Sequence, residues 1–190
     1  AVLIKKIVEA KKGNYMVYFP SYAFMEDVLD NLKDEDMNLL IQVPNMSEQD
    51  RNTFLDAFED AGELTGFAVM GGVFGEGIDL THDRLIGAVI ISPGIPRICP
   101  EIDFIREYHD QIDNSGFFKA YQMPGINSVM QSAGRVIRTH EDVGIVVLVD
   151  SRFNRRDYRS LFPMEWQDII TTSSSSQLLN HISEFWEQRA

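Results

Sequence analysis

Residues 15–32 read YMVYFPSYAFMEDVLDNL. The first five, Tyr15 to Phe19, are apolar with little alternation, as in a strand covered on both faces. Pro20 closes the run and Ser21 follows as a natural helix N-cap. Phe24, Met25, Val28, Leu29 and Leu32 then recur at helical spacing. A buried strand leading directly into an amphipathic helix is the repeating unit of an α/β fold.

The unit recurs along the chain. Leu39 to Val43, Gly66 to Met70, Gly87 to Ile91 and Gly144 to Val149 read as further strands buried on both faces. Helical patterns lie between and after them. Ser47 can cap one that carries Phe54, Leu55 and Phe58. Ile102, Ile105 and Tyr108 mark another. Met123 to Ile137 reads as one more, with Pro124 near its first turn. Leu178, Leu179, Ile182, Phe185 and Trp186 form a terminal amphipathic helix. Strands joined by helical connections predict an α/β fold with a mainly parallel sheet of at least five strands and helices on both faces. The 190 residues fit a single domain, 1–190. The run Thr171 to Ser176 is the one low-complexity stretch and reads as a loop.

Composition narrows the function classes. The chain is 44% hydrophobic and 24% charged, the balance of a soluble globular protein. No stretch approaches the roughly 20 apolar residues of a spanning helix, so no membrane association is expected. The start lacks a signal-peptide pattern. It also lacks an initiator Met, and Val2-Leu3-Ile4 opens inside an apolar pattern, as expected of an excised segment. The single cysteine, Cys99, excludes a disulfide framework and any cluster held by several cysteines of this chain. It reads as a packed thiol in a reducing, cytoplasmic protein. Net charge is −12, which argues against non-specific coating of nucleic acid. The segment from Arg135 to Arg159 runs against that trend, with six arginines and four acids.

In open parallel sheets chemistry gathers at the carboxyl ends of strands. Those ends are Pro20-Ser21, Pro44-Asn45, Gly71-Gly72, Ser92-Pro93-Gly94 and Asp150-Ser151-Arg152. The segment Gly71 to Leu80, GGVFGEGIDL, holds four glycines in seven residues, which suits close approach of an anion. Its spacing is neither the dinucleotide fingerprint nor a Walker A loop, and a structural turn accounts for it equally well. The segment Gln131 to Arg138, QSAGRVIR, spaces Arg135 and Arg138 three apart, so both can project from one helix face. Two guanidinium forks suit a polyphosphate; surface pairing with Glu141 and Asp142 is the plain alternative. Ser21 can hold a backbone phosphate at a helix start or act as a cap alone. Metalloprotease, nucleophile-elbow and Cys–His templates are all missing.

Taken in order, NYMVYFPSY, GGVFGEGIDL, IISPGIPR and QSAGRVIRTHEDVGIVVLVDSRF resemble the C-terminal motor domain of superfamily 2 helicases of the XPD/DinG type. The likeness runs from about residue 14 to 162, leaving 163–190 as an appendage with its amphipathic helix. The most specific part is Q-x-x-G-R-x-x-R with the following acidic turn, strand and Asp-x-Arg. The resemblance implies a RecA-like fold and a partner, an N-terminal RecA-like domain of the same protein. ATP and Mg²⁺ would be bound mainly by that domain, because Walker A and D-E-A-H motifs are absent from these residues.

Roles follow from the resemblance position by position. Arg138 matches the arginine finger and Arg135 its companion facing the same phosphates. Gln131 matches the residue at the domain cleft. Glu76, Gly77 and Asp79 match the motif linking the nucleotide cleft to the DNA track. Ser21, Gly71 and Gly72 match positions near the phosphates of single-stranded DNA. Arg152 matches the Asp-x-Arg arginine, assigned to DNA or to the cleft. The implied function is ATP-driven translocation and unwinding in DNA repair or replication, with no ATPase activity from this half alone. A non-catalytic α/β interaction module with a helicase-like fold is the other expectation.

Overall fold

The computed structural model describes residues 1–33, 35–59, 62–72, 74, 85–137 and 142–189. Five strands form one sheet: β1 (Tyr15–Phe19), β2 (Leu39–Ile41), β3 (Thr65–Val69), β4 (Gly87–Ile91) and β5 (Ile145–Val149). Their order is β2-β3-β1-β4-β5, and every neighbouring pair is parallel. Phe19 lies level with Val69, and Ile91 with Val149. The carboxyl ends of β1, β3, β4 and β5 therefore line one edge of the sheet.

The central strand explains its own sequence. Every residue of β1 is buried, because helices cover both faces. Successive side chains of a strand point to opposite faces. Met16 and Tyr18 join a core with Phe54, Phe58, Ile126 and Val129. Tyr15, Val17 and Phe19 join a second core with Ile4, Ile7, Met25, Ile182 and Trp186. The first core is covered by α3 (Glu48–Asp56) and α5 (Met123–Ala133), the second by α1 (Val2–Glu9), α2 (Tyr22–Asp30) and α7 (Ser175–Glu187). Among the described residues the remaining α-helices are α4 (Pro100–Asp113) and the short α6 (Arg156–Arg159).

Helix starts follow the capping residues. Ser21 accepts a hydrogen bond from the Phe24 N–H at 3.2 Å. Ser47 forms a reciprocal capping box with Asp50. Ser174, inside the low-complexity run, caps α7. Thus part of that loop is an organised helix start.

Three expectations change. The strand read as Leu39 to Val43 ends at Ile41 and forms one sheet edge, where Leu39 and Leu40 are half-buried against the two cores and Ile41 is exposed. The helix read to Ile137 ends at Ala133. Gly134, a weak helix former, is its C-cap. The Arg135 and Val136 N–H groups then bond three residues back, to Ser132 and Ala133, tightening the chain into a turn. Val136 is drawn into the first core. At the other end, α5 continues without a break from a π-helical turn, Phe118–Gln122. The Met123 N–H reaches back five residues to the Phe118 carbonyl. That wider turn accommodates Pro124, which has no N–H to give. Third, Ile105 and Tyr108 of α4 face outward.

Candidate functional site

The aligned strand ends bring four of the expected residues to one edge. Ser21 sits exposed where β1 turns into α2. Its oxygen accepts from the helix backbone, and a hydroxyl can still donate its proton outward. Gly71, just past β3, has φ of +69° and is exposed. A side chain there would be strained. Gly72 is half-buried, and its N–H bonds to the Val69 carbonyl at 3.3 Å.

Gln42 holds this turn and was not singled out in the sequence. It is 4% exposed, and its Oε1 accepts from the Val69 N–H at 2.8 Å. A Cβ on Gly72 would lie 3.3 Å from the Gln42 amide nitrogen. The signal was a lone amide within the apolar run LLIQV, a polar group that burial obliges to find a partner.

At the ends of β4 and β5 the chain is pinned by Arg152. Its Nε and Nη2 donate to the two carboxylate oxygens of Asp150 at 2.9 and 2.7 Å. Nη2 also donates to the Ser92 hydroxyl at 3.0 Å. Asp150 further accepts the Arg152 N–H. The guanidinium holds the Asp150 carboxyl below the usual carboxylate range. The carboxylate in turn raises Arg152 above its ordinary value, so both shifts describe one ion pair. Ser92 has φ of +73° and Gly94 +62°. Ser92 is thus a non-glycine residue in a left-handed conformation, with its hydroxyl tied to Arg152.

The Ser92-Pro93-Gly94 turn is also where α5 docks. A Cβ on Gly125 would come within 2.5 Å of the Pro93 carbonyl oxygen, and one on Gly94 within 3.2 Å of the Gly125 carbonyl oxygen. The same stretch of α5 carries Ser128, whose Oγ would be 4.0 Å from a Cβ on Gly71. The start of α5 therefore touches the carboxyl-edge turns of β3 and β4.

Its other end lies elsewhere. Val136 packs against Gly144, and Gly144 lies beside the Ile86 carbonyl, just before β4 begins. This is the amino edge of the sheet. Gln131 is exposed on the last turn of α5, and Arg135 is half-buried in the turn beyond it. Arg135 does not project from a helix face, because the helix has ended. Arg138, Glu76, Gly77 and Asp79 lie outside the described residues. The residues assigned to DNA thus gather at the carboxyl edge, whereas Gln131 and Arg135 are carried toward the opposite one.

The arginine-rich segment is less positive locally than its count suggests. Arg152 pairs with Asp150, and Arg155 with Asp157 at 2.9 Å. Arg159 bonds to the Thr171 hydroxyl. Cys99 is half-buried at the N-cap of α4. Among the described residues no helix is long and apolar enough to cross a membrane.

The parallel sheet with helices on both faces is a RecA-like fold, and comparison with known proteins identifies the family. The helicase C-terminal domain model matches residues 4–169. A "probable ATP-dependent helicase" of Methanocaldococcus jannaschii is 30% identical over 164 residues, covering 78% of this chain and 25% of that protein. The XPD helicase subunit of general transcription and DNA repair factor IIH from Schizosaccharomyces pombe is 27% identical over 178 residues, covering 85% and 22%. Among solved structures, an XPD helicase superposes with a TM-score of 0.67 at 22% identity, over 84% of this chain and 28% of that one. The chain belongs to the helicase C-terminal domain family, of the XPD/DinG type. It spans about a quarter of the length of the curated relatives it matches.

Proposed function

We propose that this chain is the second motor domain of an ATP-dependent DNA helicase. It works against an N-terminal RecA-like domain that holds most of the ATP and its magnesium. The observation that carries the reading is the separation of the two residue groups along α5. Ser21, Gly71 and Gly72 occupy the carboxyl edge, and Gln131 and Arg135 lie at the far end.

At the carboxyl edge the chemistry suits the backbone of single-stranded DNA. The α2 N-terminus and the Ser21 hydroxyl favour a phosphate oxygen. Gly71 allows close approach because it has no side chain. Arg152 has five N–H donors, three of them used on Asp150 and Ser92. It contributes to the strand's grip mainly by holding the β4 and β5 ends together. Contacts to phosphate and sugar carry no base information, so the grip is largely sequence-independent.

Arg135, at the far end, and Arg138 act on the phosphates of ATP bound between the two domains. Arg138 is the arginine finger, stabilising charge that develops as the γ-phosphate leaves. Gln131 adds to this contact with the nucleotide, and Glu76, Gly77 and Asp79 act as the motif that couples nucleotide to DNA. Closure is favoured because these contacts exist only in the closed state, and loss of the γ-phosphate reopens it. Among the described residues no three His, Cys, Asp or Glu side chains converge into a metal site. Helix α5 spans the two regions, so cleft closure is transmitted to the DNA-side turns through Gly125 and Gly94.

The test uses the full-length protein and measures DNA-stimulated ATP hydrolysis. Arg138→Ala should lower turnover on the order of a hundredfold or more, with a smaller effect on ATP binding. Near-normal turnover would overturn the arginine-finger role. The 190-residue chain alone should hydrolyse no ATP; clear activity would show that it is not half of a site.

A further inference from the structure

Helix α4 is amphipathic in the wrong sense for its position. None of its residues is buried. The side packed against the rest of the domain is polar. Asp103 accepts from the Tyr121 hydroxyl at 2.9 Å and pairs with Arg106. Asp110 accepts from the Gly116 N–H at 2.8 Å, and Lys119 pairs with Asp113. Apart from the half-buried Ile102, the apolar residues point away. Phe104, Tyr108 and Ile112 follow one another four residues apart, with Ile105 beside them. They are 72%, 56%, 61% and 42% exposed.

Single exposed apolar residues are ordinary, but a contiguous stripe of this kind marks a binding surface. Charge indicates what it binds. On the outer side of α4 the charged residues are Glu101 and Glu107, because Asp103, Asp110, Asp113 and Arg106 are engaged on the side that faces the domain. Glu101 and Glu107 are exposed and flank the stripe. An acidic rim repels the phosphates of nucleic acid. It also repels a second copy of itself in a two-fold contact, where like would face like. It complements a helix with an apolar face and lysine or arginine flanks.

We propose that the outer face of α4 is a docking site for a basic amphipathic helix of a partner polypeptide. Phe104 and Tyr108 are the anchors; Glu101 and Glu107 select for positive charge.

The experiment uses the full-length protein and two labelled probes, a Leu/Lys amphipathic peptide and its Leu/Glu counterpart, followed by fluorescence anisotropy. The lysine peptide should bind at least about tenfold tighter than the glutamate one. Replacing both anchors, Phe104→Ala with Tyr108→Ala, should weaken it at least about tenfold, with ATPase activity unchanged. Glu101→Lys with Glu107→Lys should reverse the preference. Equal binding of the two peptides, or lysine-peptide binding that survives loss of both anchors, would overturn the proposal. So would anchor-dependent binding of a single-stranded oligonucleotide, or anchor-dependent dimerisation in sedimentation. Hydroxyl-radical footprinting gives a further check. Tyr108 protected in the full-length protein alone would mean the face is covered within the same chain, which also overturns it.

Discussion

The two ends of α5 differ in how they are built. At its start, small residues let backbones meet. Gly125 lies against Pro93 and Gly94, and Ser128 beside Gly71. Every turn there is fixed, by Gln42, by Arg152 or by a helix cap. At its finish, α5 gives way to a tightened turn that carries Arg135. A fixed edge suits a repetitive ligand such as a phosphate backbone. An arginine just beyond a helix end suits contact with a group on a facing domain. The comparison implies that mutations at the two ends should separate DNA binding from ATP turnover.

The largest effect should come from the far end. In the full-length protein, Arg135→Ala should lower DNA-stimulated turnover by about a hundredfold. Its affinity for single-stranded DNA without nucleotide should stay within about twofold of the parent. A loss of DNA affinity matching the loss of turnover would break the separation.

The next effect concerns the helix between the two regions. Gly125→Ala places a methyl 2.5 Å from the Pro93 carbonyl oxygen, so either α5 or the turn must move. The stimulation of ATPase by DNA should fall about tenfold. Turnover without DNA should change little. An unchanged ratio of stimulated to basal rate would show that α5 does not link the two sites.

A smaller effect is expected at Ser21. Asp also caps helices well, so Ser21→Asp should leave stability within a few tenths of a kcal/mol. It sets a carboxylate against the incoming phosphate, and DNA affinity should fall about tenfold or less. Thermal melts and DNA titration of one variant thus separate cap from ligand. A variant that binds DNA normally would leave Ser21 as a cap alone.

How much of this the sequence made legible depends on the range of the interactions. Strands β1, β3 and β4 were readable because burial on both faces leaves a run of apolar residues; β5, half-buried at the other edge, keeps such a run too. The caps at Ser21 and Ser47 were readable because capping is local. The end of α5 was not. The apolar periodicity continues to Val136 and Ile137, and the three-residue hydrogen bonds after Ala133, with the packing of Val136 against Gly144, show that the chain has turned. The exposure of Tyr108 was hidden for a similar reason. Periodicity reports that a helix has an apolar face, not which way it points. Gln42 and the Gly125–Pro93 contact depend on strands and helices far apart in sequence. For the site, the grouping of Ser21, Gly71 and Gly72 followed from parallel topology. The removal of Arg135 to the other edge could not be seen without the fold.

The smallest effect tests what Arg152 does at the fixed edge. Asp150 has its carboxyl held below its ordinary value by Arg152. A depressed value in the folded state means that the ion pair adds stability above the unfolded carboxylate value of about 3.9. That contribution is lost as pH falls through the lower, folded value. The pair is partly open to solvent, so it contributes at most about 1 kcal/mol. Asp150→Asn should be less stable than the parent at pH 7 by that amount or less. The difference should shrink on acidification below about pH 4, as measured by denaturant unfolding at each pH. In the same variant the Ser92 turn loses the carboxylate that orients its arginine. If Arg152 acts by holding the strand ends, DNA affinity should fall slightly, in step with stability. If Arg152 instead grips phosphate directly, freeing it from Asp150 should strengthen DNA binding. The sign of that change decides whether the arginine belongs to the frame of the edge or to its ligand surface.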